Sequence, residues 1–512
     1  MAEETLAERY SEQISGVLNC YDRIVISGSV HPWCYAKGMT GFLYRQGIKI
    51  FDYTKFVEPM RATIRQTMIN VAQQYGLETI HVKTKHERKE EIVAKVLKQR
   101  GHEAGLVCIL SAMEQCGAYE PWHDKVSHKT AVRHTTAKCL HYYVYFIDAD
   151  IGLGYMRVPT WCPFRLQVYL NGHTWLARQL DKKKIGYEMS DNAFVQIDDF
   201  ERANELAAAQ SVERLHARLE GYAKQFCPVI QQFGLSVNWS IMQAEYATDI
   251  VFKQREDLAA FYPTLLETLI HAVKPADIAM FLGKKPSGLR RRFSGEVSSL
   301  LSPVREMGMR IKHRMGPASI KMYDKFAQVL RIETTINDVT FFDQYRKVRH
   351  TNGSVSTRYA PMKKSIYSLD PLRAIMQAAN RRYLGLISTF ERRGADERQL
   401  AKLTETVQDK DNQHRYKGFN PLAPVDAHIL RTLVHGEFTL SGFTARNLRP
   451  LLPQLSPGQL SRLLKRLRVH GLIRKIGKRY KYYLSDFGRR VSAMALSLRE
   501  LHVIPALSKT LA

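Results

Sequence analysis

Residues 456 to 471, SPGQLSRLLKRLRVHG, leave few alternatives for how they fold. Ser456 precedes Pro457, the pairing that opens a helix with a side-chain cap and a residue whose φ is already helical. Leu460, Leu463, Leu464 and Leu467 recur at helical spacing and define one apolar stripe. Gln459, Arg462, Lys465, Arg466 and Arg468 fall on the other faces, and Gly471 ends the run. Upstream, VDAHILRTLV and TARNLRPLL have the spacing of two further helices. Downstream, LIRKIGKRYKYYLS predicts two strands joined around Gly477 and Lys478, closed by SDFGRRV. From Ser456 to Arg490 there are eleven Lys or Arg and one acidic residue, Asp486.

This order of three helices and a hairpin resembles the winged-helix domain of MarR-type regulators, over about 70 residues. The resemblance implies that the third helix enters a DNA major groove while the hairpin lies near the backbone. Gln459, Ser461 and Arg462 would then be nearest base edges. Lys478, Arg479 and Lys481 would meet phosphates, and Lys465 and Arg466 belong to the same basic surface. A winged helix that binds protein, or one merely solvated by its charges, is the alternative.

The 512 residues suffice for about three domains. A hydrophobic fraction of 45% allows real cores. The formal charge of +27 favours a polyanionic partner, because phosphates neutralised by Lys and Arg release condensed counterions. Nucleic acid is the expected partner, DNA ahead of RNA; a homo-oligomer is left open. MAEETLAERY has neither the basic nor the apolar region of a signal peptide, and no apolar run approaches the roughly 18 residues of a membrane span. A cytoplasmic protein with no membrane partner is expected. Seven cysteines without scaffold spacing are expected to be reduced thiols.

Along the chain the expected class is α+β or α/β, in several domains with mixed sheets. Residues 1–185 alternate strand-like and helical stretches and read as an α/β domain. Residues 186–393 read as an α+β domain with a basic loop and a polar-faced hairpin. Residues 394–424 turn polar and read as a linker, followed by the winged-helix segment and a C-terminal helix at 425–512.

The hairpin is SIKMYDKFAQVLRIETTIND, Ser319 to Asp338. Strand alternation puts Lys321 and Tyr323 on one face, and Arg331 and Glu333 on one face of the partner. The expectation is an open polar face on a half-buried sheet. QAEYATDIVF, Gln243 to Phe252, echoes RIETTINDVTF, each with a Glu, a nearby Thr and an Asp four or five residues on. If the strands are related, Glu245, Asp249, Glu333 and Asp338 bring together oxygen ligands for Mg²⁺ or Mn²⁺, as phosphodiester cleavage uses. Tyr323 offers another chemistry, nucleophilic attack on a phosphodiester, with Lys321, Lys325 or Arg331 stabilising charge. YDK…LRIE resembles segments of rolling-circle replication initiators, whose paired-histidine metal motif has no match here. Cross-strand ion pairs are the plainer account of the same residues.

Further basic residues surround the hairpin: Lys284, Lys285, Arg290, Arg291 and Arg292 in GKKPSGLRRRF, then Arg310, Lys312, His313 and Arg314. They predict a second nucleic-acid contact. Cys116, His123, His128, His134, Cys139 and His141 lack paired ligand spacing, so Zn²⁺ is not favoured. Asp148 and Asp150 fit turn chemistry as well as cation binding. Arg157, Trp161, Phe164, Arg165 and Tyr169 mix cations and rings that stack on bases or fill a core, and a core is favoured.

The motifs RIVISGSV, MRVPTWCPFRLQVYLNG, QAEYATDIVF and IKHRMGPASIKMYDK resemble a group of bacterial proteins labelled MarR-type regulators or associated with mobile elements. Two functions fit. One is DNA processing linked to a mobile element, by metal-dependent cleavage or strand transfer and targeted by the winged helix. The other is a non-enzymatic transcriptional regulator or recruitment factor.

Overall fold

A computed structural model describes residues 5–84, 87–101, 103–126, 128–284, 296–304, 308–350, 354–390, 397–409, 413–434, 438, 442–476, 480–504 and 507. In chain order the elements are α1 (Leu6–Arg9), β1 (Ile14–Ser29), α2 (Ala36–Arg45), α3 (Tyr53–Gln74), β2 (Thr79–His81), α4 (Lys89–Arg100), β3 (Gly105–Asp124), β4 (Lys129–Asp148), β5 (Gly152–Pro159), β6 (Leu166–Asn171), α5 (Gly172–Lys183), β7 (Tyr187–Ser190), β8 (Ala193–Ile197), α6 (Phe200–Ala208), α7 (Val212–Phe226) and β9 (Asn238–Phe252). There follow α8 (Arg255–Ala272), α9 (Pro275–Phe281), β10 (Val297–Val304), β11 (Gly308–Met315), β12 (Ala318–Lys325), β13 (Val329–Ile336), β14 (Asp343–Arg349), β15 (Val355–Pro361), α10 (Leu369–Phe390), α11 (Glu397–Thr404), β16 (Val407–Gln408), β17 (Arg415–Tyr416), α12 (Pro424–Leu433), α13 (Ala445–Leu448), α14 (Pro457–Val469), β18 (Ile473–Ile476), β19 (Lys481–Leu484) and α15 (Asp486–Ser497). The chain is thus mixed α and β, with a large mixed sheet. It gathers into two compact units: Met1–Val17, Asp249–Thr334 and Met376–Ala512 form the first, Leu18–Thr248 and Thr335–Ile375 the second.

In the second unit the strand order is β9-β1-β6-β5-β4-β3-β2. β2 pairs with β3 in parallel, whereas β3–β4, β4–β5, β5–β6 and β1–β6 are antiparallel. The β3–β4 ladder is long, running from Gly105 opposite Ile147 to Asp124 opposite Lys129. Its inner half is apolar and buried, as at Ile109, Leu110, Val144 and Phe146; its outer half alternates toward solvent. The β4–β5 turn is built by Asp148, whose Oδ1 accepts from the amides of Asp150 (2.7 Å) and Ile151 (3.1 Å). Gly152 follows at φ +72°, where a Cβ would stand 2.7 Å from the Thr174 backbone, so only glycine fits. Trp33 packs edge to face on Phe42, Phe164 and Phe233, rings drawn from distant parts of this unit's sequence.

In the first unit the order is β10-β11-β12-β13 and then the end of β9. β10–β11 and β11–β12 are antiparallel. On one face Thr334 Oγ1 and Asn380 Oδ1 of α10 meet at 2.6 Å, and Asn380 Nδ2 donates to Ile332 O at 3.2 Å. The C-terminal part of the same unit has one apolar core, from Leu403 and Phe419 through Ile429, Leu448 and Leu464 to Leu484 and Val491. Residues 394–424, polar enough to suggest a linker, therefore carry α11 and the β16–β17 pair and place Leu403 and Phe419 in that core.

Candidate functional site

The C-terminal surface is built around α14. Ser456 accepts from the Gln459 amide at 3.3 Å while Gln459 Oε1 accepts from the Ser456 amide at 2.8 Å, a reciprocal cap that satisfies two donors at the helix start. Leu460, Leu463, Leu464 and Leu467 are all buried, each contributing about 2 kcal/mol of apolar burial. That fixes the rotation of the helix and leaves Gln459, Ser461, Arg462 and Arg468 exposed. The cap occupies the Gln459 carbonyl oxygen, so its amide NH₂ is the group left to face outward.

Lys465 and Arg466 are held by the protein itself rather than presented with the open basic surface. Lys465 Nζ pairs with Asp409 Oδ2 at 2.7 Å. Arg466 donates to Lys417 O (2.8 Å) and Gly418 O (2.5 Å), lies 3.7 Å from the Phe419 ring centroid and faces Asp426 at 3.4 Å. These two cations tie Asp409 and residues 417–426 to α14. Behind the helix, Phe443 and Tyr482 exchange backbone hydrogen bonds of 2.8 and 2.7 Å, and β18–β19 forms the hairpin. Lys481 is half-buried with its ammonium 5.5 Å from the Tyr483 centroid. Lys478 and Arg479 lie outside the described residues.

Of the basic residues expected near the polar hairpin, Lys285, Arg290, Arg291 and Arg292 also lie outside the described residues. Lys284 and Lys312 are half-buried, and Lys312 stands opposite Lys321 across β11–β12. Arg314 is exposed and donates to Gly316 O at 3.2 Å.

β12 and β13 form as expected, but their polar face is not open. Lys321, Tyr323 and Glu333 are 9, 8 and 2% exposed, and Lys325 and Arg331 are fully buried. Lys321 Nζ lies 2.5 Å from Glu333 Oε1, and the Tyr323 hydroxyl donates to Glu333 Oε2 at 2.7 Å. Arg331 makes a two-pronged pair with Asp249, with Nε to Oδ1 and Nη2 to Oδ2 both at 2.6 Å. The planar fork of arginine matches a carboxylate in this way, and the match offsets the cost of burying both charges. The correction is physical: alternation in a strand normally signals one wet face, whereas here both faces are covered and the polar one is ionic.

The four carboxylates proposed as cation ligands each have positive or hydrogen-bonding partners. Asp249 has Arg331 and Glu333 has Lys321 and Tyr323. Glu245 receives Arg23 Nε and Nη2 at 3.0 and 2.7 Å. Asp338 caps the turn at Thr340 (2.8 Å from its hydroxyl, 3.1 Å from its amide) and faces Lys364 at 3.3 Å; these donors keep its carboxyl below its ordinary range. Arg23 was not singled out in the sequence, since nothing local ties it to Glu245, 222 residues away.

Other candidates resolve into structural partners. Arg157 donates to His141 Nε2 at 3.0 Å, which makes Nδ1 the protonated nitrogen, 3.1 Å from Cys139 O, so both ring nitrogens are engaged within the protein. His123 contacts the Thr130 hydroxyl (2.9 Å), and His134 lies 3.5 Å from the Tyr119 hydroxyl. Asp150 pairs with Lys182 at 2.7 Å and Arg218 at 2.6 Å, and the Tyr222 hydroxyl donates to Asp148 at 2.6 Å. Phe164 is core, and Tyr169 stacks on Tyr155 with centroids 5.2 Å apart. Among the described residues no helix is long and apolar enough to cross a membrane. No protein-family model matches the chain, and no match to it was found among the curated proteins or the solved structures.

Proposed function

We propose that this protein binds double-stranded DNA through α14, with α12, α13, α14 and the β18–β19 hairpin acting as a winged helix, and that it serves as a regulator or recruitment factor. The observation that carries this is the exposed face of α14: Gln459, Ser461, Arg462 and Arg468 opposite a fully buried leucine stripe. A helix of 13 residues is roughly 20 Å long, and a B-form major groove about 12 Å wide admits it. The groove of A-form RNA is too narrow for such a helix, which favours DNA. The net charge of +27 supports the same partner through counterion release.

DNA cleavage or strand transfer receives less support. The groups it needs, Lys321, Tyr323 and Glu333, are bonded to one another and almost wholly covered, so a phosphodiester would reach them only if the strand pair opened. These residues fit a structural role better.

The test is duplex binding by the full chain after selection of a preferred site from random duplexes. Arg462→Ala should weaken binding to that site about tenfold or more and relax preference at one position. Unchanged affinity and preference would sink the assignment of α14.

A further inference from the structure

The β14–β15 ribbon of the second unit is an unusual surface. Its register places Tyr345 opposite Tyr359, with ring centroids 5.4 Å apart, and the two side chains are 62 and 74% exposed. Lys347, Arg349 and Thr357 share that face by strand alternation, and all three are exposed. On the other face Arg346 stands directly opposite Arg358, an arrangement of like charges that costs stability. Arg346 donates to Pro361 O (3.0 Å) and Lys347 O (3.2 Å), carbonyls that leave its charge uncompensated. Among the described residues Lys347, Arg349 and Arg358 make no ion pair. From Asp343 to Lys364 the sequence has six Lys or Arg against one acid.

A merely solvated ribbon would need neither two broad rings held out of any core nor paired like charges. We propose that this ribbon binds single-stranded DNA, with Tyr345 and Tyr359 stacking on unpaired bases and Lys347 and Arg349, on the same face, meeting phosphates. Every base has a flat π face, and basic residues beside exposed rings track a strand without reading its sequence. In a duplex the base faces are covered by their neighbours, so the rings would have nothing to stack on. The choice of DNA rests on the reading of α14 above; the choice of an unpaired strand does not.

The experiment uses the full chain and fluorescence anisotropy with labelled oligo-dT of about 20 nucleotides, an oligo-rU of equal length and a duplex. The Tyr345→Ala/Tyr359→Ala variant should lose about tenfold or more in oligo-dT affinity while duplex affinity stays within about twofold. Tyr345→Phe/Tyr359→Phe should retain oligo-dT binding, because the ring and not the hydroxyl does the stacking. Both pairs are on the surface, so circular dichroism should match the unaltered protein. Oligo-dT affinity unmoved by the alanine pair, or no oligo-dT binding by the unaltered protein, would overturn the proposal. A clear preference for oligo-rU would overturn the choice of DNA. Oligo-dT binding without duplex binding would instead remove the role of α14 and leave the ribbon standing.

Discussion

Arg331 and Asp249 set the terms at the residue scale. Both are essentially inaccessible, at 0 and 1% exposure, and joined by two 2.6 Å contacts. Asp249→Asn deprives a buried guanidinium of this carboxylate and should cost about 3–5 kcal/mol in urea unfolding. Asp249→Leu/Arg331→Met removes both charges and should cost less than either single change; a double variant as unstable as the sum would refute the pairing as described. The sequence makes Lys321, Tyr323, Arg331 and Glu333 visible as polar strand positions, because alternation is local. It does not show that Asp249 and Glu333 each meet a cation. That depends on Asp249 lying beside Arg331, 82 residues on, and on burial of a face that alternation alone would leave wet.

At the scale of elements, His313 ties β11 to its surroundings. Its Nδ1 lies 2.8 Å from the Ser299 hydroxyl of β10 and its Nε2 3.0 Å from the Tyr383 hydroxyl of α10. Burial pushes its pKa down to about 4, from an ordinary value near 6.5. In that interval the unfolded chain binds the proton and the folded chain does not, so stability falls as pH falls from about 6.5 toward 4. Compared with His313→Gln, which does not titrate, the native chain should lose on the order of 2 kcal/mol between pH 7 and pH 4.5. Urea midpoints that run parallel across that range would contradict the burial of a neutral imidazole. α14 was legible in full because cap, stripe and stop lie within 16 residues. The β14–β15 ribbon was missed: neither strand has a continuous buried face, although DQYRKVR and VSTRYAP do alternate basic, aromatic and small residues. The polar stretch 394–424 hides its structure for a related reason, since only a few side chains, Leu403 and Phe419 among them, reach the core.

Across the whole molecule, composition conveys more about the partner than about the architecture. The charge of +27 points to a polyanion, whereas the two units interleave segments that a linear reading keeps together or apart by proximity in sequence. Strand pairing between distant segments leaves no local mark, so the class of fold was legible and the grouping of segments was not. The central claim concerns where DNA lies on the protein. A photocrosslinking residue placed at exposed Ser461 on α14, with a control at exposed Glu213 at the start of α7, addresses it directly. With a labelled duplex, the account predicts an adduct from position 461 that fades as salt rises, and none above background from position 213. Equal adducts from both positions, or duplex binding with no adduct at 461, would contradict it.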